Sequence, residues 1–199
     1  MRERELVALL DMDGTLADYD GAMKRELAKL ASPDENPFEH GDNLPDWIEA
    51  RRTVVSRVPG FWRNLEKLEV GFEIVHLLEA AGFSLQVLTK GPSSKSLAWA
   101  EKLEWCREHI PQAGVTITED KSRTWGKILV DDWTPYFMKW LGNRPRGLVI
   151  VPSQPWNQDV ESLHQNIVRY DGKDPKFLRA CIHAVATREG KEPLVLPQR

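Results

Sequence analysis

Cysteine is nearly absent: Cys106 and Cys181 are the only two in 199 residues. They lie far apart and match no metal-ligand spacing. They read as free thiols in a reducing compartment, which excludes a disulfide scaffold. The histidines His40, His76, His109, His164 and His183 show no ligand spacing either and read as structural. A charge excess is missing too, since 27 Lys and Arg stand against 30 Asp and Glu, a net charge of −3. The basic residues are scattered, which gives no footprint for a nucleic acid polymer and favours a small soluble substrate. No apolar run approaches the roughly 20 residues of a membrane-spanning helix. Residues 1–5 lead straight into a short strand, so no signal peptide is expected. There are no repeats and no low-complexity tract. These absences predict a cytoplasmic protein without a membrane partner, and they leave a homodimer open.

What is present suits a globular domain. A hydrophobic content of 41% supports a real core, and the length suits one domain plus a modest insertion. Apolar residues recur at helical spacing from Val70 to Ala81 and stop at Gly82. Residues 83–89 alternate as a strand. A helix capped by Ser93 or Ser94 runs to about Ile110 and ends at Pro111. Strands follow at 115–118 and 127–131. A short helix from Thr134 to Leu141 is closed by Gly142. Further strands are expected at 147–151 and 167–170, then a helix from about Pro175 to Arg188. Alternation of strand and helix implies a parallel sheet covered on both faces. Residues 17–69 differ, with helical stretches near 18–30 and 44–57, four prolines and no strand pattern.

The most informative stretch is Leu6-Val7-Ala8-Leu9-Leu10-Asp11-Met12-Asp13-Gly14-Thr15. A buried strand delivers two carboxylates, two residues apart, to its C-terminal end. Residues at i and i+2 of a strand point the same way, so Asp11 and Asp13 can serve one reaction centre. Two like charges this close call for a cation between them. Residues 15–22 do not continue as a calcium loop, which needs further oxygen ligands at fixed spacings. Three more strand ends carry functional groups: Thr89, Lys121 just after 115–118, and the pair Asp131/Asp132. Ligands of open parallel sheets bind beyond such ends.

In order and kind these groups resemble the four motifs of the haloacid dehalogenase-like (HAD) phosphohydrolases. The resemblance implies a Rossmann-like α/β core over residues 1–16 and 70–199. A small helical cap, residues 17–69, is inserted after the first strand. It also implies a nucleophile at Asp11 forming an aspartyl-phosphate and a general acid and base at Asp13. Thr89 and Lys121 would hold phosphate, and Lys90 could add positive charge there or be an ordinary surface lysine. Mg²⁺ would take oxygen ligands from Asp11, the Asp13 carbonyl and Asp131/Asp132.

Three segments resemble the 5′(3′)-deoxyribonucleotidase branch over about residues 6–151. They are Asp11 to Tyr19, Phe61-Trp62-Arg63-Asn64-Leu65-Glu66, and Thr116 to Asp132 with Asp131 ten positions after Lys121. The branch implies a nucleoside monophosphate substrate, deoxyribose in the first place. Its base would sit among Tyr19, Phe38, Trp47, Phe61 and Trp62, with Tyr19 and Trp62 the leading pocket candidates. The same aromatics also suit the cap's own small core. Thr15 stands where the branch has valine, Glu119 where a basic residue is expected, and residues 152–199 match poorly. Two alternatives remain: a phosphatase for another small phosphoester, and a non-catalytic nucleotide-binding protein.

Overall fold

The computed structural model describes residues 5–33, 35, 44–92, 95–189 and 192–198. Its centre is a six-stranded, wholly parallel sheet of β1 (Val7–Leu10), β2 (Ser84–Lys90), β3 (Gly114–Thr118), β4 (Ile128–Val130), β5 (Leu148–Pro152) and β6 (Ile167–Tyr170). The spatial order is β3-β2-β1-β4-β5-β6. The chain winds outward from β1 through β2 to β3, then returns to the other side of β1 with β4. The order therefore reverses between β1 and β4. Open α/β sheets bind ligands at such a switch point, beyond the carboxyl ends of the strands.

Pleating sorts the apolar residues. Ala8 and Leu10 face a cluster with α3 (Glu69–Ala80), α4 (Ser96–His109) and α6 (Pro175–Thr187). Leu9 faces the other cluster, which includes Phe137, Trp140 and Leu141 of α5 (Thr134–Asn143). Both faces are thus covered, which is why the central strands β1, β4 and β5 read as continuous apolar runs.

Between β1 and α3 lie α1 (Tyr19–Leu30) and α2 (Asp46–Val55), with only isolated bridges among the described residues. Met23, Leu27 and Val55 form a small separate core there, with Tyr19 and Phe61 packed against it. The outgoing and returning chains run side by side: Asp18 N–H donates to Glu66 O and Leu68 N–H to Leu16 O, at 2.8 and 2.9 Å. Gly71 lets α3 approach this crossing, since a Cβ there would lie 2.0 Å from Thr15 O.

Two helix ends differ from expectation. Helix α5 runs through Gly142 to Asn143, because Gly142 keeps helical backbone and Arg144 is the capping residue. Ser93, Ser94, Phe38 and His40 lie outside the described residues, and α4 opens at Ser96 after Lys95 without a side-chain cap. The expected stop at Gly82 is present, with φ +80° after α3.

Candidate active site

Asp11 extends β1 by one residue, its N–H donating to Val130 O at 2.8 Å. Its Oδ1 accepts from Met12 N–H at 2.7 Å and its Oδ2 pairs with Lys121 at 2.6 Å. Lys121 opens a 3₁₀ turn (Lys121–Arg123) after β3, capped by Asp120, whose side chain accepts from Ser122 N–H. That turn aims the lysine inward, and its ammonium also meets Asp131 Oδ2 at 2.9 Å. Burial pulls the Lys121 pKa down, but Asp11 and Asp131 together hold it above the ordinary lysine value. The lysine is a permanent cation between two acids.

Asp131 and Asp132 follow β4 directly. Asp131 Oδ1 accepts from Trp133 N–H at 2.9 Å. Asp132 accepts from Thr15 Oγ1 at 3.0 Å and from Trp156 Nε1 at 3.1 Å. Gly14 makes room for it: φ is +74°, and a Cβ would lie 2.6 Å from Asp132 Oδ2. Burial pushes the Asp131 carboxyl up to about 7 against the pull of Lys121. Burial, reinforced by Asp11 and Asp131, holds Asp132 well above the carboxylate range.

Oxygen atoms of Asp11, Asp131 and Asp132 lie within 4.8 Å of one another. When all three carboxylates are ionised, the one ammonium between them leaves two negative charges in a buried pocket. An all-oxygen donor set with that deficit fits a hard divalent cation.

Asp13 sits apart from this trio. Its Oδ2 pairs with the Lys102 ammonium from α4, and its Oδ1 is buried without a hydrogen-bond partner among the described residues. Burial raises the Asp13 pKa, Lys102 opposes that, and the Asp11 charge adds to it. Lys102 also donates to Thr89 Oγ1 at 3.1 Å and to Lys90 O at 2.9 Å. The Thr89 hydroxyl therefore accepts one bond and keeps its own hydrogen to donate. Lys90 is exposed, its ammonium 2.9 Å from Tyr136 OH.

Asp11, Asp13, Lys90, Lys121 and Asp132 border a cavity of about 470 Å³, while Thr89 and Asp131 are wholly buried and are not part of its lining. Tyr19 and Trp62 line it too, stacked on each other at 5.1 Å with an interplanar angle of 18°. Trp62 is only 5% exposed. Its Nε1 donates to Ser56 O, and Lys102 lies 4.6 Å from its ring centroid. Trp62 therefore backs Tyr19. Phe61 meets both rings edge-on, and Trp47 is 47% exposed on α2, under Arg51.

Sequence reasoning missed Lys102, Arg52, Tyr136 and Trp156 in the lining. For Lys102 a signal existed. Ala98, Glu101, Lys102, Trp105 and Cys106 form the buried stripe of α4, so two charges stand where apolar residues belong. Its neighbour Glu101 accepts from Gly60 N–H and Trp62 N–H, at 2.6 and 3.1 Å, and holds the returning chain. For Trp156 there was none, because its loop is placed by long-range bonds. Gln154 reaches Gly14 O at 2.8 Å and Asn157 reaches Asp132 O at 3.1 Å.

A family profile described as 5′ nucleotidase, deoxy (pyrimidine), cytosolic type C protein (NT5C) matches residues 4–169. The chain belongs to this family. It is a phosphoric monoester hydrolase on an HAD-type fold. The match runs past residue 151, so β5 and most of β6 belong to the shared pattern as well. No match is found among curated proteins. Similar solved structures include an HAD family hydrolase from Deinococcus radiodurans R1 with bound phosphate and sodium. It has 12% identity and a TM-score of 0.47, covering 83% of this chain and 91% of that one. A hydrolase from Pseudomonas syringae shows 13% identity and a TM-score of 0.47, covering 84% and 94%.

Proposed function

We propose that the enzyme hydrolyses nucleoside monophosphates, deoxyribonucleoside monophosphates in the first place, in the cytoplasm and with Mg²⁺. The observation that carries this reading is the floor of the cavity. Asp11 is pinned by Lys121 beside two further acids, while Asp13, two residues on, borders the same space. Residues 17–69 act as the cap domain over it.

The chemistry divides into two displacements. A carboxylate oxygen of Asp11 attacks phosphorus, the ester P–O bond breaks, and Asp13 gives its proton to the leaving alkoxide. Water then attacks the aspartyl-phosphate, Asp13 takes a proton from it, and the bond to Asp11 breaks to release inorganic phosphate. A protonated Asp13 suits the first step, and its burial favours that form. Lys102 positions the Asp13 carboxylate, and the Thr89 hydroxyl and Lys121 bear on the phosphoryl oxygens. Asp11, Asp131, Asp132 and the Asp13 carbonyl would hold Mg²⁺, which supplies charge neutralisation when bound. Tyr19, with Trp62 behind it and Arg52 at its hydroxyl, forms the wall for the base.

The test is phosphate release from a panel of nucleoside and sugar monophosphates with Mg²⁺. Deoxyribonucleoside monophosphates should lead in kcat/KM by tenfold or more. Sugar phosphates ahead would favour the small-phosphoester alternative. Silence across the panel would favour a non-catalytic role.

A further inference from the structure

We propose that the opposite end of the sheet carries a second binding site, for a polyphosphate-bearing ligand with a flat ring: a nucleoside triphosphate. A cavity of about 490 Å³ opens there, as large as the active-site cavity and within the size range of small-molecule sites. Lys127 borders it just before β4, Arg144 and Arg146 just before β5, and Arg188 at the end of α6. Among the described residues that line it, none is acidic. Four cations separated by up to 61 positions in the chain (188 − 127) thus meet in one concavity. In the sequence they looked scattered.

The cavity is built rather than incidental. Arg144 is held by Ser122 O and Arg123 O, at 3.3 and 3.1 Å; these carbonyls orient a guanidinium without cancelling its charge. Its Nε–H is buried without a hydrogen-bond partner among the described residues, and its guanidinium lies 5.8 Å from the Trp140 ring centroid. Arg188 donates to Arg146 O at 2.7 Å, which ties the α6 end to the β5 approach. Guanidiniums match phosphate oxygens by paired hydrogen bonds. At the rim stands Trp125, 53% exposed, a broad apolar face beside concentrated positive charge. A tryptophan in that setting suits stacking on a nucleobase.

The plain alternative is that arginines follow helix C-termini to offset the helix dipole. That accounts for Arg144 after α5 and Arg188 after α6. It accounts for neither Lys127 and Arg146, which precede strands, nor the exposed tryptophan, nor the cavity. Four positive charges exceed what one monophosphate needs, and a concave site in a chain of net charge −3 is ill suited to a polymer.

Calorimetric titration of the whole chain in EDTA, with ATP, GTP, CTP, UTP and inorganic tripolyphosphate in turn, tests this. We expect binding that Arg146→Glu and Arg188→Glu each weaken at least tenfold, with hydrolysis of a nucleoside monophosphate within twofold of wild type. Trp125→Ala should weaken the nucleotides and leave tripolyphosphate unchanged. Absence of binding to all five probes overturns the site. So does binding that neither charge reversal affects, which would belong to the active site. Indifference of every nucleotide to Trp125→Ala overturns the ring. Thermal melting checks folding, and Lys127→Gln replaces any charge reversal that unfolds.

Discussion

The floor and the wall of the active-site cavity are built on different terms. The floor is made of strand ends: Asp11 after β1, Lys121 after β3, Asp131 and Asp132 after β4. Its groups are almost wholly buried and bound to one another, so their geometry comes with the sheet. The wall is made of α1, the chain returning from α2, and α4. It is held by side chains that reach across the molecule, such as Glu101 to Gly60 and Lys102 to Asp13. Chemistry common to every phosphate ester belongs on the rigid floor. Selectivity can be confined to the wall, where substitution does not disturb the sheet.

The largest expected effect breaks the floor. Asp11→Asn removes the charge of the proposed nucleophile and one acid of the trio, so turnover should fall by orders of magnitude on every substrate alike. EDTA should do the same to the wild type. Steady-state assays on a nucleotide and on para-nitrophenyl phosphate check both. Substantial turnover by that variant, or full activity in EDTA, would show that the floor is not the reaction centre.

Asp13→Asn comes next. It removes the proposed proton donor, while the main-chain carbonyl stays. Acid–base groups typically contribute on the order of 10²–10⁴-fold, and kcat should fall by that much with substrate binding retained. A variant within a few fold of wild type in kcat would return Asp13 to a structural role beside Lys102.

Legibility in the sequence follows the same division. All six strands were readable, β1, β4 and β5 as apolar runs whose end is marked by the first polar residue, and β2 by its alternation. Lys121 was readable despite its charged surroundings, because its distance to Asp131 is set by one turn and one strand. Lys102 was legible only as a charge in the buried stripe of α4, and nothing local says that it reaches Asp13. Trp156 was not, because Gln154 and Asn157 fix its loop to Gly14 and Asp132 from about 140 and 25 residues away. Contacts made only in the folded chain leave no local pattern.

The wall should respond in kind. Tyr19→Ala should raise KM for nucleoside monophosphates by the equivalent of about 1–3 kcal/mol, the usual value of one stacked base. Hydrolysis of para-nitrophenyl phosphate should stay within twofold. Trp62→Ala is expected to act differently, because its ring is buried and its Nε1 is bound to Ser56 O. Emptying a buried tryptophan site costs roughly 3–5 kcal/mol of stability, so a lower Tm should accompany any change in KM. Equal losses on both substrates in a folded Tyr19→Ala protein would make the wall part of the floor's machinery.

The smallest effect sharpens the comparison through pH. Burial lifts Asp131 to about 7 and raises Asp132 and Asp13 above the ordinary value. An acid whose folded pKa exceeds its unfolded pKa, about 3.9, binds protons in the native state that the unfolded chain has released. Its stabilisation is complete below that unfolded value and is lost as pH rises to the folded one. Metal-free protein should therefore lose stability between about pH 4 and pH 7. On the surface Asp120 has the opposite sign: the Ser122 hydroxyl and Lys139 hold it at about 2, so its contribution is lost only in stronger acid. In EDTA, Tm should be several degrees lower at pH 7.5 than at pH 5, since 1 kcal/mol moves a chain of this size by about 2–4 °C. Mg²⁺ bound as proposed would give the ionised floor its missing counter-charge, so it should raise Tm more at pH 7.5 than at pH 5. Asp131→Asn should flatten the metal-free slope, and Tyr19→Ala should leave it as in wild type. A Tm in EDTA that is level or rising across this range would mean that the floor carries no excess negative charge.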